Sequence, residues 1–147
     1  AGVTRLPVRA DVLGAPGHFA GQYAFLNIPS LSPFQWHPFT ISSGPPLAVT
    51  DGLLTFHIKD MGAGTWTRDL ARLALSANNG GADAGDGDAD TLARLPVSID
   101  GPYGRMGPYS ECDSLLIVAG GIGFTPFNSL LQDLAARFDR VLVERDH

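Results

Sequence analysis

The chain has a single cysteine, Cys112, among its 147 residues, and it lacks any apolar run long enough to cross a membrane. One cysteine excludes an internal disulfide and a zinc site of the usual multi-cysteine type, and it agrees with a reducing compartment. The four histidines show no i, i+4 pair, so no metal site is predicted. Residues 1–12 alternate apolar and polar side chains as a strand does, so no signal peptide is predicted.

Basic residues are also scarce, with 10 Lys and Arg against 15 Asp and Glu and a net charge of −5. Four aspartates in residues 78–90 account for four of these five negative charges. That Gly-, Asp- and Ala-rich segment predicts a solvated, disordered insertion, and it does not match an EF-hand loop, which ends in Glu. Without a basic patch, nucleic-acid binding is not predicted.

Glycine (18) and proline (11) are abundant, which favours strands joined by turns. The alternation is clearest at 53–59, where Leu54, Phe56 and Ile58 point to one face. Pro7 places the first strand at an edge. A helix is predicted at 67–75, capped by Thr67. Five strands are predicted, at residues 4–13, 21–28, 36–43, 53–59 and 95–100.

A different pattern begins at Ser114. A buried parallel strand is predicted at 114–119, a helix from Phe127 to Phe138 and a second strand at 140–144, which together make a βαβ unit. The fold class is therefore mainly β: a small antiparallel barrel at 1–108, followed at 109–147 by the incomplete start of an α/β domain.

The turn between the predicted strand 114–119 and the following helix is glycine-rich, with Gly120, Gly121 and Gly123. Glycines let backbone amides approach a phosphate, and Thr125 as N-cap with Pro126 as first helical residue is a favoured helix start. The helix N-terminus would then attract a pyrophosphate. The spacing is not the standard G-x-G-x-x-G, and turns of this kind also occur without a ligand.

Residues His37, Pro38, Phe39 and Thr40 lie in the third predicted strand. The Phe39 ring could flank a flavin, and the Thr40 hydroxyl or a backbone N–H could bond the flavin N5. His37, on the same face as Phe39, could meet a phosphate or ribose. On spacing alone, a buried Phe39 and an ordinary surface histidine are the simpler interpretation.

Three further groups of residues suit anions. His57 and Lys59 share the polar face of their strand, and Thr67 starts a second helix whose amides could bind a phosphate. The run Asp100–Gly104 predicts a tight turn open to close approach. Each feature also has a plain structural interpretation as an exposed lysine, a helix cap or an inter-domain turn.

In this order the motifs are specific, and the whole chain resembles the cytosolic dehydrogenase region of ferric reductases and NADPH oxidases, within the ferredoxin–NADP reductase-like superfamily. The soluble reductases carry Arg-x-Tyr-Ser or Thr, whereas this chain has His37 and Phe39 in the Arg and Tyr places, as in the membrane branch. The resemblance rests on Gly21–Tyr23, His37–Ser43, His57–Lys59, Gly64–Thr67, Gly101–Gly104 and Gly120–Pro126.

The resemblance implies a six-stranded Greek-key FAD-binding barrel and site residues. Phe39 and Thr40 would be catalytic, flanking the isoalloxazine ring and bonding near N5. His37, His57 and Lys59, with Pro38 and Ile58 beside them, would line the ribityl and phosphate path. The pyrophosphate would lie at Gly64, Trp66 and Thr67. NADPH would be received by Gly101, Pro102, Tyr103, Gly104, Gly120, Gly121, Gly123, Thr125 and Pro126.

The resemblance implies an electron relay from NADPH through FAD to a haem in transmembrane helices absent from this chain. NADH is not excluded as the electron donor. The parent would place this region at the cytosolic face of a membrane, and the chain would be a truncated piece that oxidises NADPH slowly by itself. Ferric iron and oxygen both remain open as final acceptor. Two alternatives also remain open, a soluble NAD(P)H flavin reductase and a non-catalytic interaction module.

Overall fold

A computed structural model describes residues 2–13, 17–45, 52–79, 95–104 and 106–145. The strands are β1 (Val3–Arg9), β2 (Tyr23–Asn27), β3 (His37–Thr40), β4 (Leu53–Lys59) and β5 (Ser98–Tyr103). The helices are α1 (Trp66–Asn79) and α2 (Thr125–Arg145), and 3₁₀ turns lie at Ala10–Leu13, Tyr109–Glu111 and Gly121–Phe124. The predicted acidic insertion lies outside the described residues, except for its first two, which end α1.

The strands form two antiparallel sheets, one of β1 and β4 and one with the order β3–β2–β5. An isolated bridge between Ile41 and Phe56 joins the sheets just beyond β3. The predicted mainly β, antiparallel architecture is therefore confirmed. In the described part of the chain the sheets do not close into a barrel, and no sixth strand pairs with them.

Strand β4 has the bounds and the faces that its alternation predicted. Leu54, Phe56 and Ile58 are buried, whereas Lys59 is exposed. The strand pairs with β1 along its whole length, and Pro7 lies opposite Thr55. Among the described strands, β1 pairs on one side only. This agrees with the edge position that Pro7 predicted, because proline donates no hydrogen bond to a ladder.

Four predicted strands differ from the structure at their ends: β2 and β3 are shorter than the predicted 21–28 and 36–43, and β1 and β5 differ further. Strand β1 ends at Arg9 rather than at residue 13, because the Ala10 amide bonds the Gly52 oxygen at 2.9 Å and a 3₁₀ turn follows. Strand β5 begins at Ser98 and includes Gly101–Tyr103, which we predicted as a turn. The chain continues as a strand there because Gly101 adopts a φ of 143° at the register irregularity opposite Tyr23 and Phe25.

Helix α1 packs on the core through Leu70 and Ala74, which are four residues apart and therefore share a face. The helix begins one residue earlier than predicted. The Thr65 hydroxyl accepts the Arg68 amide at 3.2 Å, so Thr65 and not Thr67 is the capping side chain.

The predicted βαβ unit is wrong in its two strands. Residues 114–120 have no regular secondary structure and no ladder partner among the described strands, and Leu116 and Val118 are 90% and 82% exposed. A parallel strand needs hydrogen-bonded neighbours and cover on both faces, and the described residues provide neither for this segment. Residues 140–144 continue α2, because a formed helix gains one hydrogen bond for each residue added.

The core lies between the two sheets and α1. Its buried residues are Leu6, Ala24, Leu26, Ile28, Ile41, Leu54, Phe56, Ile58, Trp66 and Leu70. Phe39, Val97 and Ile99 pack against this cluster from partly buried positions. Among the described residues, neither helix combines the length and apolarity that a membrane crossing requires.

Candidate cofactor-binding site

The first part of the site is an aromatic cluster formed by His37, Phe39 and Trp66. The His37 and Trp66 ring centroids are 4.6 Å apart, and the Phe39 and Trp66 rings stack at 5.8 Å. The alternation of β3 directs His37 and Phe39 to one face, on which Trp66 presents its ring from the start of α1. The aromatic cluster therefore joins two predicted motifs that are distant in the chain.

Thr40 lies on the opposite face of the sheet from Phe39. It is paired with Tyr23, which is paired in turn with Tyr103 of β5. The rings of Tyr23, Phe25 and Tyr103 lie 5.8–5.9 Å from one another. The side chains of Thr40 and Tyr103 are therefore grouped with an outer aromatic surface, not with Phe39.

The main chain of Thr40 is oriented differently from its side chain. The Ile41 amide donates to the Gln22 oxygen at 2.9 Å, so the Thr40 amide, one residue earlier, points away from β2. The Ser42 amide points the same way as that of Thr40 and bonds the Thr55 oxygen of β4 at 2.8 Å. The N–H of Thr40 thus lies on the β4 side of β3, and the Ile41–Phe56 bridge places Thr40 opposite His57.

The loop from Asp60 to Arg68 leads into α1 and contains the second motif. The Thr65 hydroxyl donates to the Gly62 oxygen at 2.7 Å, and the Thr67 hydroxyl accepts the Met61 amide at 3.0 Å. A Cβ at Gly64, where φ is +77°, would meet nothing within 4 Å. The Arg68 and Asp69 amides bond Thr65, whereas the Trp66 and Thr67 amides before them have no acceptor within the helix, and this open corner lies at the positive end of the helix dipole.

Two buried side-chain donors at the start of α1, Trp66 Nε1 and Arg68 Nε, find no acceptor among the described residues. Buried N–H groups without a partner are uncommon and call for an explanation. Together with the open Gly64 position, they make this corner rich in unused donors. The residues present therefore fit a group with several acceptor oxygens, such as the pyrophosphate of a flavin dinucleotide.

His57 lies apart from the aromatic cluster. It lines a cavity of about 390 Å³ with Gly121, Thr125 and Asn128. Burial, and to a smaller extent the charge of Arg5, lower the pKa of His57. Of its neighbours in the motif, Lys59 is exposed at the end of β4 and Ile58 is buried in the core.

The glycine-rich turn is open to solvent. A Cβ at Gly120, Gly121 or Gly123 would meet no atom within 4 Å. The predicted helix start is wrong in one respect: Thr125 is itself helical, with φ −53° and ψ −45°, and its hydroxyl donates to the Ile122 oxygen at 3.0 Å. The 3₁₀ turn Gly121–Phe124 runs directly into the helix and takes the place of a side-chain cap.

Helix α2 contacts the segment that follows β3 through residues that we did not predict. Asn128 Nδ2 donates to the Ser42 oxygen at 2.8 Å, and Ser129 Oγ donates to the Ser43 oxygen at 2.9 Å. The Gly44 amide donates to Gln132 Oε1 at 2.6 Å. The signal available in the sequence was a stripe of amide and hydroxyl side chains between the apolar residues of α2.

Residues 17–107 match the family model described as an FAD-binding domain, and this range contains the aromatic cluster and the loop before α1. The chain belongs to that family. It is 42% identical over 121 residues to respiratory burst oxidase homolog protein A of Solanum tuberosum, covering 78% of this chain and 12% of the relative.

Two other relatives cover similar parts. Respiratory burst oxidase homolog protein E of Arabidopsis thaliana is 38% identical over 145 residues, covering 90% of this chain and 15% of the relative. Ferric reduction oxidase 3, mitochondrial, of the same organism is 40% identical over 111 residues, covering 75% and 13%. The predicted kinship with ferric reductases and NADPH oxidases is confirmed, and the chain spans 12–15% of the length of these three relatives.

Proposed function

We propose that this chain holds FAD within an NAD(P)H oxidoreductase that passes electrons from NADPH to a membrane haem. The observation that carries the proposal is the contact of the His37–Phe39 face of β3 with Trp66 at the N-terminus of α1, inside the range that matches the FAD-binding family. Bound FAD would supply the redox chemistry, since a flavin accepts a hydride from a nicotinamide and releases electrons singly.

We assign the flavin ring to the aromatic cluster and its pyrophosphate to Gly64, Trp66 and Thr67. Aromatic side chains provide flat apolar contacts for the ring, and the helix N-terminus provides donors and a favourable dipole for the phosphates. Because the Thr40 hydroxyl lies on the other sheet face, we assign the contact with N5 to the Thr40 amide, which has no partner in β2.

NADPH is assigned to the glycine-rich turn Gly120–Thr125, with Gly101–Gly104 as a second contact. The open glycines and the cavity shared by Gly121, Thr125 and His57 support this assignment. In the parent protein, we propose that residues 1–108 complete a six-stranded Greek-key barrel, and that residues 109–147 begin the nucleotide domain. A transmembrane haem domain of the same parent, with this region on the cytosolic side, completes the proposed relay.

Flavin binding by the purified 147-residue chain tests the proposal. We expect flavin fluorescence to be quenched on titration with FAD, and we expect Phe39→Ala to weaken binding about tenfold or more, since stacking contacts contribute about 1–3 kcal/mol. Phe34→Ala is the matched control, because Phe34 is 88% exposed and should leave affinity unchanged. A folded wild-type chain that binds no flavin would instead select the non-catalytic interaction module.

NADPH oxidation by the same sample tests the assignment of the nucleotide domain. Residues 114–120 are not held in a sheet among the described residues, so the turn they lead into is poorly preorganised for hydride transfer. We expect the chain to oxidise NADPH slowly even when saturated with FAD. Rapid turnover would contradict the division into an FAD domain and an incomplete nucleotide domain.

A further inference from the structure

Asp60, at the end of β4, is a buried carboxylate that contacts both ends of the loop leading into α1. It is 7% exposed. Its Oδ1 accepts the Gly62 amide at 2.9 Å, and its Oδ2 accepts Arg68 Nη1 at 2.6 Å. Its own amide donates to the Gly2 oxygen at 3.0 Å, which ties the loop to the chain before β1.

Gly64, Trp66 and Thr67, which we assign to the pyrophosphate, lie between the two residues that Asp60 contacts, Gly62 and Arg68. Gly62 and Gly64 adopt φ values of +99° and +77°, so the loop reverses through conformations that favour glycine. Such a glycine-rich loop has little rigidity of its own. The Asp60 carboxylate, with the Thr65 hydroxyl, is what holds Gly62 at one end and Arg68 at the other in the described structure.

The Asp60–Arg68 ion pair also determines what the arginine can do. Both oxygens of Asp60 are used within the loop, and the guanidinium faces the carboxylate at 2.6 Å. A paired arginine contributes little net positive charge to a neighbouring phosphate. The pair therefore suits a role in orientation better than a role in attracting the anion.

We propose that Asp60 is a positioning residue for FAD: it holds the amides of Gly64, Trp66 and Thr67 in the arrangement that binds the pyrophosphate. This inference rests on the proposed function. It assigns a role to a residue outside the motif residues, and it predicts that Asp60 affects the phosphate end of the cofactor but not the isoalloxazine end.

The test compares the affinities of FAD and riboflavin, because riboflavin has the ring without the pyrophosphate and adenosine. Both are titrated into the purified chain and into Asp60→Ala and Asp60→Asn. Asp60→Asn is isosteric and keeps an acceptor for the Gly62 amide. It therefore tests the inference even if Asp60→Ala does not fold. Asp69→Asn is the matched control, since it makes the same charge change at an exposed position of α1.

We expect FAD to bind about tenfold more weakly to a folded Asp60→Asn or Asp60→Ala variant than to Asp69→Asn, with riboflavin affinity close to that of Asp69→Asn. Unchanged FAD affinity in a folded Asp60 variant would overturn this inference and leave the proposed function intact. An equal loss for both flavins would overturn it as well, since Asp60 would then only support the fold. A wild-type chain that binds neither flavin would refute the proposed function, and this inference with it.

Discussion

Ser42 Oγ and His57 Nδ1 form a side-chain hydrogen bond of 2.6 Å. The Ser42 hydroxyl uses its one proton on the Thr55 oxygen, 2.7 Å away, so the proton in the contact with His57 belongs to Nδ1. Burial chiefly lowers the pKa of His57 from 6.5, which favours the neutral Nδ1–H tautomer at pH 7. Its Nε2 is left as an acceptor.

Histidine NMR on the labelled chain tests this assignment. We expect Nδ1 of His57 to carry the proton at pH 7 and the pKa to lie below 6.5. Arg5→Ala should raise the pKa of His57, since a neighbouring positive charge disfavours protonation. Arg72→Ala, at an exposed position of α1, should leave it unchanged. An Nε2–H tautomer would contradict the hydrogen-bond assignment.

His18 should make the fold sensitive to acid. Burial lowers the pKa of His18 below 6.5, although its hydrogen bond to the Ser43 oxygen, at 3.0 Å, acts in the other direction. Below pH 6.5 the unfolded chain binds a proton at this residue more readily than the folded chain does, so stability falls as pH falls. Melting curves from pH 7 to 5 should show a smaller loss in His18→Gln, which keeps a donor for Ser43. Equal losses in both proteins would count against this role.

Gly101 should be intolerant of a side chain. Its φ is 143°, and a Cβ there would lie 3.1 Å from the Ala24 Cβ. We expect Gly101→Ala to reduce the free energy of unfolding by about 2 kcal/mol, measured by urea denaturation. Gly107→Ala, where a Cβ would meet nothing within 4 Å, should change it by about 0.5 kcal/mol or less. Similar effects of the two substitutions would show that the β5 backbone adapts.

Leu70 should account for much of the attachment of α1 to the sheets. The residue is fully buried in the core cluster, so Leu70→Ala leaves a cavity. We expect a loss of about 3 kcal/mol in unfolding free energy. The control Leu75→Ala is on the same helix and 62% exposed, and it should cost much less. A loss below about 1 kcal/mol at Leu70 would mean that the site collapses around the smaller side chain.

Local patterns predicted the parts of the fold that local interactions determine. Strand β4 was predicted correctly because Leu54, Phe56 and Ile58 alternate with polar residues, and burial of one face needs no further information. The motifs also predicted the family. The choice of Thr65 over Thr67 as the cap could not be read from two neighbouring hydroxyl residues, since it depends on where the loop enters the helix.

The errors concern interactions between distant segments. The apolar run 114–119 has the composition of a buried strand, but a strand forms only with a partner, and none of the described strands pairs with it. Asn128 and Gln132 contact Ser42 and Gly44, which are far away in the chain, and no short sequence motif predicts such contacts. The alternation of β3 separates the side chains of Phe39 and Thr40, which the resemblance had grouped at one ring.

If the chain binds both FAD and NADPH as we propose, the three hydrogen bonds between α2 and Ser42–Gly44 have a thermodynamic consequence. A nucleotide that moved α2 would have to break these bonds or displace the backbone that continues from Thr40. Occupancy at the glycine-rich turn would then alter flavin affinity, and by linkage the flavin would alter nucleotide affinity by the same factor. The contacts of α2 with Ser42–Gly44 would then couple the affinities of the two proposed binding sites.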